Sequence, residues 1–179
     1  PHGGRLVDRL VPPEEAAALE SKAAGLPRVT LNERETADVE MITVGAMSPL
    51  EGFMVREDYE GVVEKMRLAK GLPWTIPVTL SLNGDQASSI REGQEIALAG
   101  ATGELLAVME VQSKYKPDQT KEAAKVLRTT DDAHPGVQYL KSIGDIYIGG
   151  PLRAIRKPSH VDFARYRLDP KETRVLFKT

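Results

Sequence analysis

A chain of 179 residues with 41% apolar and 28% charged side chains has the make-up of one soluble domain with a sizeable core, or one domain and a short appendage. Its net charge of −2 gives no global reason to expect nucleic acid or an anionic membrane, and no run approaches the ~18–20 apolar residues of a membrane span. The absence of cysteine excludes disulfides and thiolate metal sites and makes a reducing, cytoplasmic compartment the expectation; no signal-peptide hydrophobic region opens the chain.

Residues 1–12 read as an irregular arm, with Leu6, Val7, Leu10 and Val11 as its anchors. Pro12-Pro13 open an Ala-rich helix over 14–24, stopped by Gly25 and Pro27, and residues 28–31 suit a short strand. Asn32 with Glu35 three residues on is a capping box, and the helix that follows is expected to bury Ala37, Met41 and Val44. The stretch 45–54, Gly-Ala-Met-Ser-Pro-Leu-Glu-Gly-Phe-Met, mixes turn formers with Met47, Leu50, Phe53 and Met54, so it is a loop packed into the domain. Tyr59, Val62, Val63 and Met66 fall at helical spacing and predict a helix over 57–69, ended by Gly71 and Pro73, with Gly61 a cost of about 1 kcal/mol.

The period then changes to two. Trp74, Ile76, Val78, Leu80 and Leu82 alternate with polar or small residues, a strand that Pro77 confines to an edge or bulge. Asn83-Gly84-Asp85 reads as a turn, and strands over 94–98 and 105–111 are joined through Gly100-Ala101-Thr102-Gly103 as a hairpin. The second of these strands is expected to present Leu105, Ala107, Met109 and Val111 to the core. Pro117-Asp118 start a helix to Leu127, residues 129–136 form a polar loop, and strands over 143–148 and 152–155 flank a break at Gly149-Gly150-Pro151. Asp169, Pro170 and Glu172 begin a last helix of about nine residues, too short to be stable alone, so the chain is expected to continue beyond Thr179. Helices first and mostly strands afterwards make the class α+β, with a small barrel or strongly bent sheet and flanking helices.

Chemistry-bearing patterns are sparse. His2, His134 and His160 lack metal-ligand spacing, and no dinucleotide, Walker or nucleophile-elbow motif occurs. His134 beside Asp131 and Asp132 is a candidate base or anion contact, weighed against a histidine that fixes its own loop by hydrogen bonds. Gly149-Gly150-Pro151 is read as a bend in preference to a phosphate cradle. Residues 153–179 carry eight basic and three acidic side chains, a local +5 that leaves −7 on residues 1–152. That tail suits either a polyanion or the acidic surface of a following domain. On the residues alone no catalytic, cofactor-binding or metal-ligating position is assigned.

Several ordered motifs do carry a resemblance. They are Pro1-His2-Gly3-Gly4-Arg5-Leu6-Val7, Leu26-Pro27, Asp38-Val39-Glu40-Met41-Ile42 and the 45–54 run, then Trp74-Thr75-Ile76-Pro77-Val78, Thr129-Thr130-Asp131-Asp132-Ala133-His134-Pro135-Gly136-Val137 and Gly149-Gly150-Pro151. Over essentially its whole length the chain resembles the N-terminal domain of the ATP sulfurylase (sulfate adenylyltransferase) family. The resemblance implies a PUA-like barrel with packed helices over 1–160 and, over 161–179, a connector with the first helix of a catalytic domain. It implies a parent that forms adenosine 5′-phosphosulfate and pyrophosphate from ATP and sulfate with Mg²⁺, and that forms homo-oligomers. The family's catalytic Gln-x-Arg-Asn and His-x-x-His motifs do not occur here, so no catalytic residue is transferred and the chain alone is expected to be inactive. Two other readings stay open at this point: a free-standing RNA- or anion-binding module, and a small enzyme built on His134, Asp131 and Asp132.

Overall fold

The computed structural model describes residues 1–159 and 162–178. Seven α-helices and seven strands appear among them, and the chain divides into two compact units. The first unit comprises Pro1–Gly52, Glu95–Glu110 and Pro151–Thr179; the second comprises Phe53–Gln94 and Val111–Gly150.

In the first unit, α1 (Pro13–Ala24) starts on Pro13 and ends at Gly25, and β1 (Arg28–Thr30) runs parallel to β4 (Glu95–Ala99). β4 forms the expected hairpin with β5 (Leu105–Glu110), and β5 pairs antiparallel with the end of β7 (Ile146–Ala154) through Ala107↔Ala154 and Met109↔Leu152. Leu19 and Ala23 of α1 pack on Ala97, Ala99, Leu105, Val108 and Ile155, so residues 105–109 of β5 are buried on both faces. The alternation expected there is absent because α1 covers one face of the hairpin.

α2 (Glu33–Thr43) carries the full capping box between Asn32 and Glu35. Its buried stripe is Glu35, Val39, Ile42 and Thr43, one step round from the expected Ala37, Met41 and Val44; Met41 is 43% exposed. Both stripes have helical spacing, but the observed one buries the two β-branched aliphatic residues, the larger apolar gain. The last helix, α7 (Pro170–Leu176), is capped by Asp169 and Glu172 as expected and has no buried residue.

β2 (Gly52–Phe53) has its first residue in the first unit and its second in the second unit, where α3 (Arg56–Lys65) buries Tyr59, Val62 and Val63. α3 stops earlier than expected because Met66 adopts a left-handed conformation, φ 54°. The strand expected over 74–82 contracts to β3 (Leu80–Leu82): Ile76 is 54% exposed, and Pro73 and Pro77 remove the donors a continuous ladder needs. The expected turn at 83–85 opens α4 (Gly84–Ser89), since Gln86 completes a capping box with Asn83.

β6 (Ser113–Tyr115) and β3 both pair antiparallel with the first half of β7, at Lys114↔Ile148 and Leu80↔Ile148. α5 (Gln119–Glu122), capped by Asp118, continues into a π-helical turn over Ala123–Leu127. The expected polar loop holds α6 (Pro135–Ser142), whose Val137 and Leu140 pack on Ala123. β7 runs unbroken through Gly149-Gly150-Pro151, where a bend was expected. A Cβ on Gly149 would stand 2.0 Å from the Met54 carbonyl oxygen, so the glycine serves close backbone passage, not a turn.

Candidate functional site

Three of the four apolar anchors expected in the 45–54 loop are buried, and the fourth, Met47, is only partly buried. Leu50, Phe53 and Met54 are core residues, and Ser48 is buried with them. The Ser48 Oγ accepts a hydrogen bond from the Val7 amide at 2.9 Å and donates to the Gly45 carbonyl at 2.6 Å. That pair of bonds fastens the N-terminal arm to the loop. Arg9 adds to it, donating from Nε to the Leu152 carbonyl at 2.7 Å and from Nη1 to Glu51 at 2.9 Å. These bonds run to backbone groups and one surface ion pair and tie the N-terminal arm to the loop.

His134 is the N-cap of α6: its Nδ1 accepts from the Gly136 amide at 3.1 Å. Asp131 accepts from the Ala133 amide through its carboxylate, and Asp132 pairs with Lys141. The three residues are therefore neighbours in one loop, each fixing local backbone or a surface charge. A histidine whose Nδ1 caps its own helix is oriented by that bond, and neither aspartate is placed on it as a partner by these contacts. The geometry matches the loop-fixing role set against catalysis above. His160 lies outside the described residues.

Several cations of the basic tail are neutralised within the first unit. Arg153 meets Glu95 at 3.3 Å, Arg156 pairs with Glu20, and Lys157 meets Asp169 at 3.0 Å. Glu95 also receives Lys22 at 2.5 Å, and the Lys22 hydrogen bond, with Arg153 adding to it, holds its carboxyl below the usual carboxylate range. Engaged with carboxylates, these three cations of the tail offer a polyanion a reduced field. Phe163, Tyr166, Leu168, Val175, Leu176 and Phe177 of the tail are exposed large apolar residues, Phe177 at 86%.

The most developed polar cluster lies in the second unit and is invisible to motif reading. Glu122, 5% exposed at the α5–π-turn junction, accepts a hydrogen bond from the Tyr59 hydroxyl at 2.9 Å and from the Tyr147 hydroxyl at 3.4 Å. Tyr115 donates to the Met54 carbonyl at 2.9 Å, and the three rings meet at centroid distances of 5.4, 5.6 and 6.0 Å. Burial, with the Glu122 carboxylate next in order, pushes the Tyr59 and Tyr147 hydroxyls well above the ordinary phenol range; burial also raises Tyr115, with Tyr147 next. Phenols so raised stay protonated as donors, which suits a closed structural network. The only sequence signal was Tyr59 on the apolar face of a helix; Tyr115, Glu122 and Tyr147 are distant in sequence.

Beside this network a small cavity of about 190 Å³ is lined by Gln119, Thr120, Ala123, Thr130, Val137, Leu140 and Lys141. None of its lining residues is a histidine or carboxylate, so it holds no acid–base pair. Among the described residues no group of three or more His, Cys, Asp or Glu could hold a metal ion, and no helix is long and apolar enough to cross a membrane.

A family model described as a PUA-like domain matches residues 1–157. The sulfate adenylyltransferase of Symbiobacterium thermophilum is 53% identical over 178 residues, which is 99% of this chain and 45% of that protein. The sulfate adenylyltransferase of Nostoc punctiforme is 48% identical with the same two coverages. The chain thus spans about half the length of these relatives. Among solved structures, a hexameric APS kinase from Thiobacillus denitrificans matches with a TM-score of 0.77 and 28% identity, over 99% of this chain and 31% of that one.

Proposed function

Because the chain belongs to the PUA-like domain family, we propose that it is the N-terminal, non-catalytic part of a longer sulfate adenylyltransferase. The observation that carries the reading is the near-complete coverage of this chain by relatives of that name. The parent joins ATP and sulfate: a sulfate oxygen attacks the α-phosphorus, the bond to the β,γ-phosphates breaks, and pyrophosphate leaves as adenosine 5′-phosphosulfate forms. Cationic and backbone donors must offset the charge of the two anions brought together.

In this reading residues 1–160 are the PUA-like domain, with the family's small barrel and packed helices, and residues 161–179 connect to the catalytic domain and begin its first helix. The exposed Phe163, Tyr166, Leu168, Val175, Leu176 and Phe177 support that assignment, since a following domain would cover them. In this reading ATP and Mg²⁺ are bound by the rest of the parent. The parent works in the cytoplasm in sulfate activation and assembles with copies of itself. The test is pyrophosphate release from ATP and sulfate, with turnover expected from the longer protein and none from these 179 residues. Turnover by the 179-residue chain refutes the non-catalytic role, and none by the longer protein refutes the activity.

A further inference from the structure

α2 carries apolar residues on two faces. Val39 and Ile42 are buried in the core, whereas Ala37, Met41 and Val44, spaced i, i+4 and i+7, form a second stripe on the opposite side of the helix. Ala37 and Met41 are exposed, and Val44 is half-buried. At 100° per residue, Glu33 and Glu40 flank this stripe on one side and Arg34 and Asp38 on the other, a polar rim of both signs around an apolar centre. Outside the tail, the large exposed apolar residues of the first unit, among the described residues, are Met41 and Leu10.

Hydrogen bonds tie both residues to the place from which the tail departs. The Thr43 carbonyl at the end of α2 accepts from the Arg9 amide at 3.0 Å, and the Arg9 carbonyl accepts from the Ala154 amide at 2.8 Å. Leu10 forms a parallel bridge with the same Ala154, the last residue of β7. Lys157, just beyond it, meets Asp169, the cap of α7, at 3.0 Å. The end of α2, the arm at Leu10 and the root of the tail therefore share one bonded frame within the first unit.

We propose that the outer stripe of α2, with Leu10, is a docking surface for the part of the parent that follows Thr179, separate from the apolar tail that leads into it. More than half the length of the relatives lies outside this chain, enough for a domain that covers both surfaces. That domain is joined to the same unit through the tail, so its effective concentration at α2 is that of a tethered partner. A second copy would have to reach the stripe from solution against it. An apolar centre ringed by charges of both signs is the build of a domain interface, with Met41 the anchor in its middle. The inference rests on reading this chain as the N-terminal part of a longer protein and is independent of the adenylyl chemistry.

The experiment is methionine oxidation by dilute hydrogen peroxide, followed by peptide mass mapping, in the longer protein and in the 179-residue chain. Met54, 1% exposed, is the buried internal standard. Met41 should oxidise about tenfold or more slowly in the longer protein than in the chain, at every protein concentration. Equal rates overturn the assignment. Protection that disappears on dilution overturns it too, because a second copy is then the occupant. In the longer protein, Leu10→Lys combined with Met41→Lys should speed proteolytic cleavage within residues 162–178 by about tenfold, since undocking bares the connector, whereas Met41→Leu should keep the unaltered rate. Both lysines enter at exposed positions, and circular dichroism checks the fold; a folded double variant cleaved at the unaltered rate overturns the surface, and the oxidation result decides without any variant. Pyrophosphate release reports on the chemistry separately. A longer protein that turns over with Met41 unprotected keeps the proposed function and loses this surface, and a protected Met41 without turnover does the reverse.

Discussion

Asp38 offers the sharpest link between structure and a measurable energy. It sits half-buried in the middle of α2, and burial lifts its carboxyl from the ordinary 3.8 to about 6, against the pull of Arg34 and with a small push from Glu35. Replacing it by asparagine keeps the shape and removes the charge. The unfolded chain gives up this proton near pH 4 and the folded one near pH 6, so between them the folded state binds more protons. Stability therefore falls as pH rises through that window, and above the folded value the full cost of a desolvated carboxylate is present. At about 1.36 kcal/mol for each pH unit, the gap from 3.8 to about 6 is worth at most about 3 kcal/mol, and partial exposure brings it to about 2 kcal/mol. Urea unfolding of the two proteins across pH should show Asp38→Asn indistinguishable near pH 4 and more stable by about 2 kcal/mol at neutral pH. A difference that does not change with pH, or an asparagine variant less stable at neutral pH, would falsify the reasoning.

Phe53 is 2% exposed, so Phe53→Ala should cost about 3–5 kcal/mol in the same assay; a loss under about 1 kcal/mol would show the ring is not in a packed core. Gly149→Ala sets a methyl against the Met54 carbonyl and should cost about 3 kcal/mol, visible as a lower midpoint; an unchanged midpoint would mean β7 does not pass that closely. Tyr59→Phe removes a hydrogen bond to buried Glu122 and should cost about 1–3 kcal/mol, with the volume unchanged. Ser48→Ala leaves the buried Val7 amide without its acceptor, so that amide should exchange with deuterium faster than the core while β4 and β5 stay protected.

Local signals were the legible part of the fold. The boxes at Asn32–Glu35 and Asp169–Glu172 need only neighbouring residues, and both form. The 95–110 hairpin and the buried face of α3 follow from period and turn residues alone. α4 was hidden because Asn83-Gly84 is also a turn signal, and only Gln86 tips it toward a cap. α6 was hidden because its cap is His134, an uncommon choice, although Pro135 stands at the first helical position. β7 passes through two glycines and a proline because Met54 lies against it, a contact between residues about a hundred apart in the chain. The Tyr59–Tyr115–Glu122–Tyr147 network is nonlocal in the same way. For function, the motifs carried the family and the residues themselves assigned no site; the structure supplies the physical account of His134, Asp131 and Asp132 as loop-fixing groups.

Equilibrium binding of ATP and of adenosine 5′-phosphosulfate, followed by calorimetry with the 179-residue chain and with the longer protein side by side, tests the central claim most directly. Saturable binding by the longer protein and none by the chain is the predicted result; a saturable isotherm from the chain alone would contradict its assignment as the non-catalytic part.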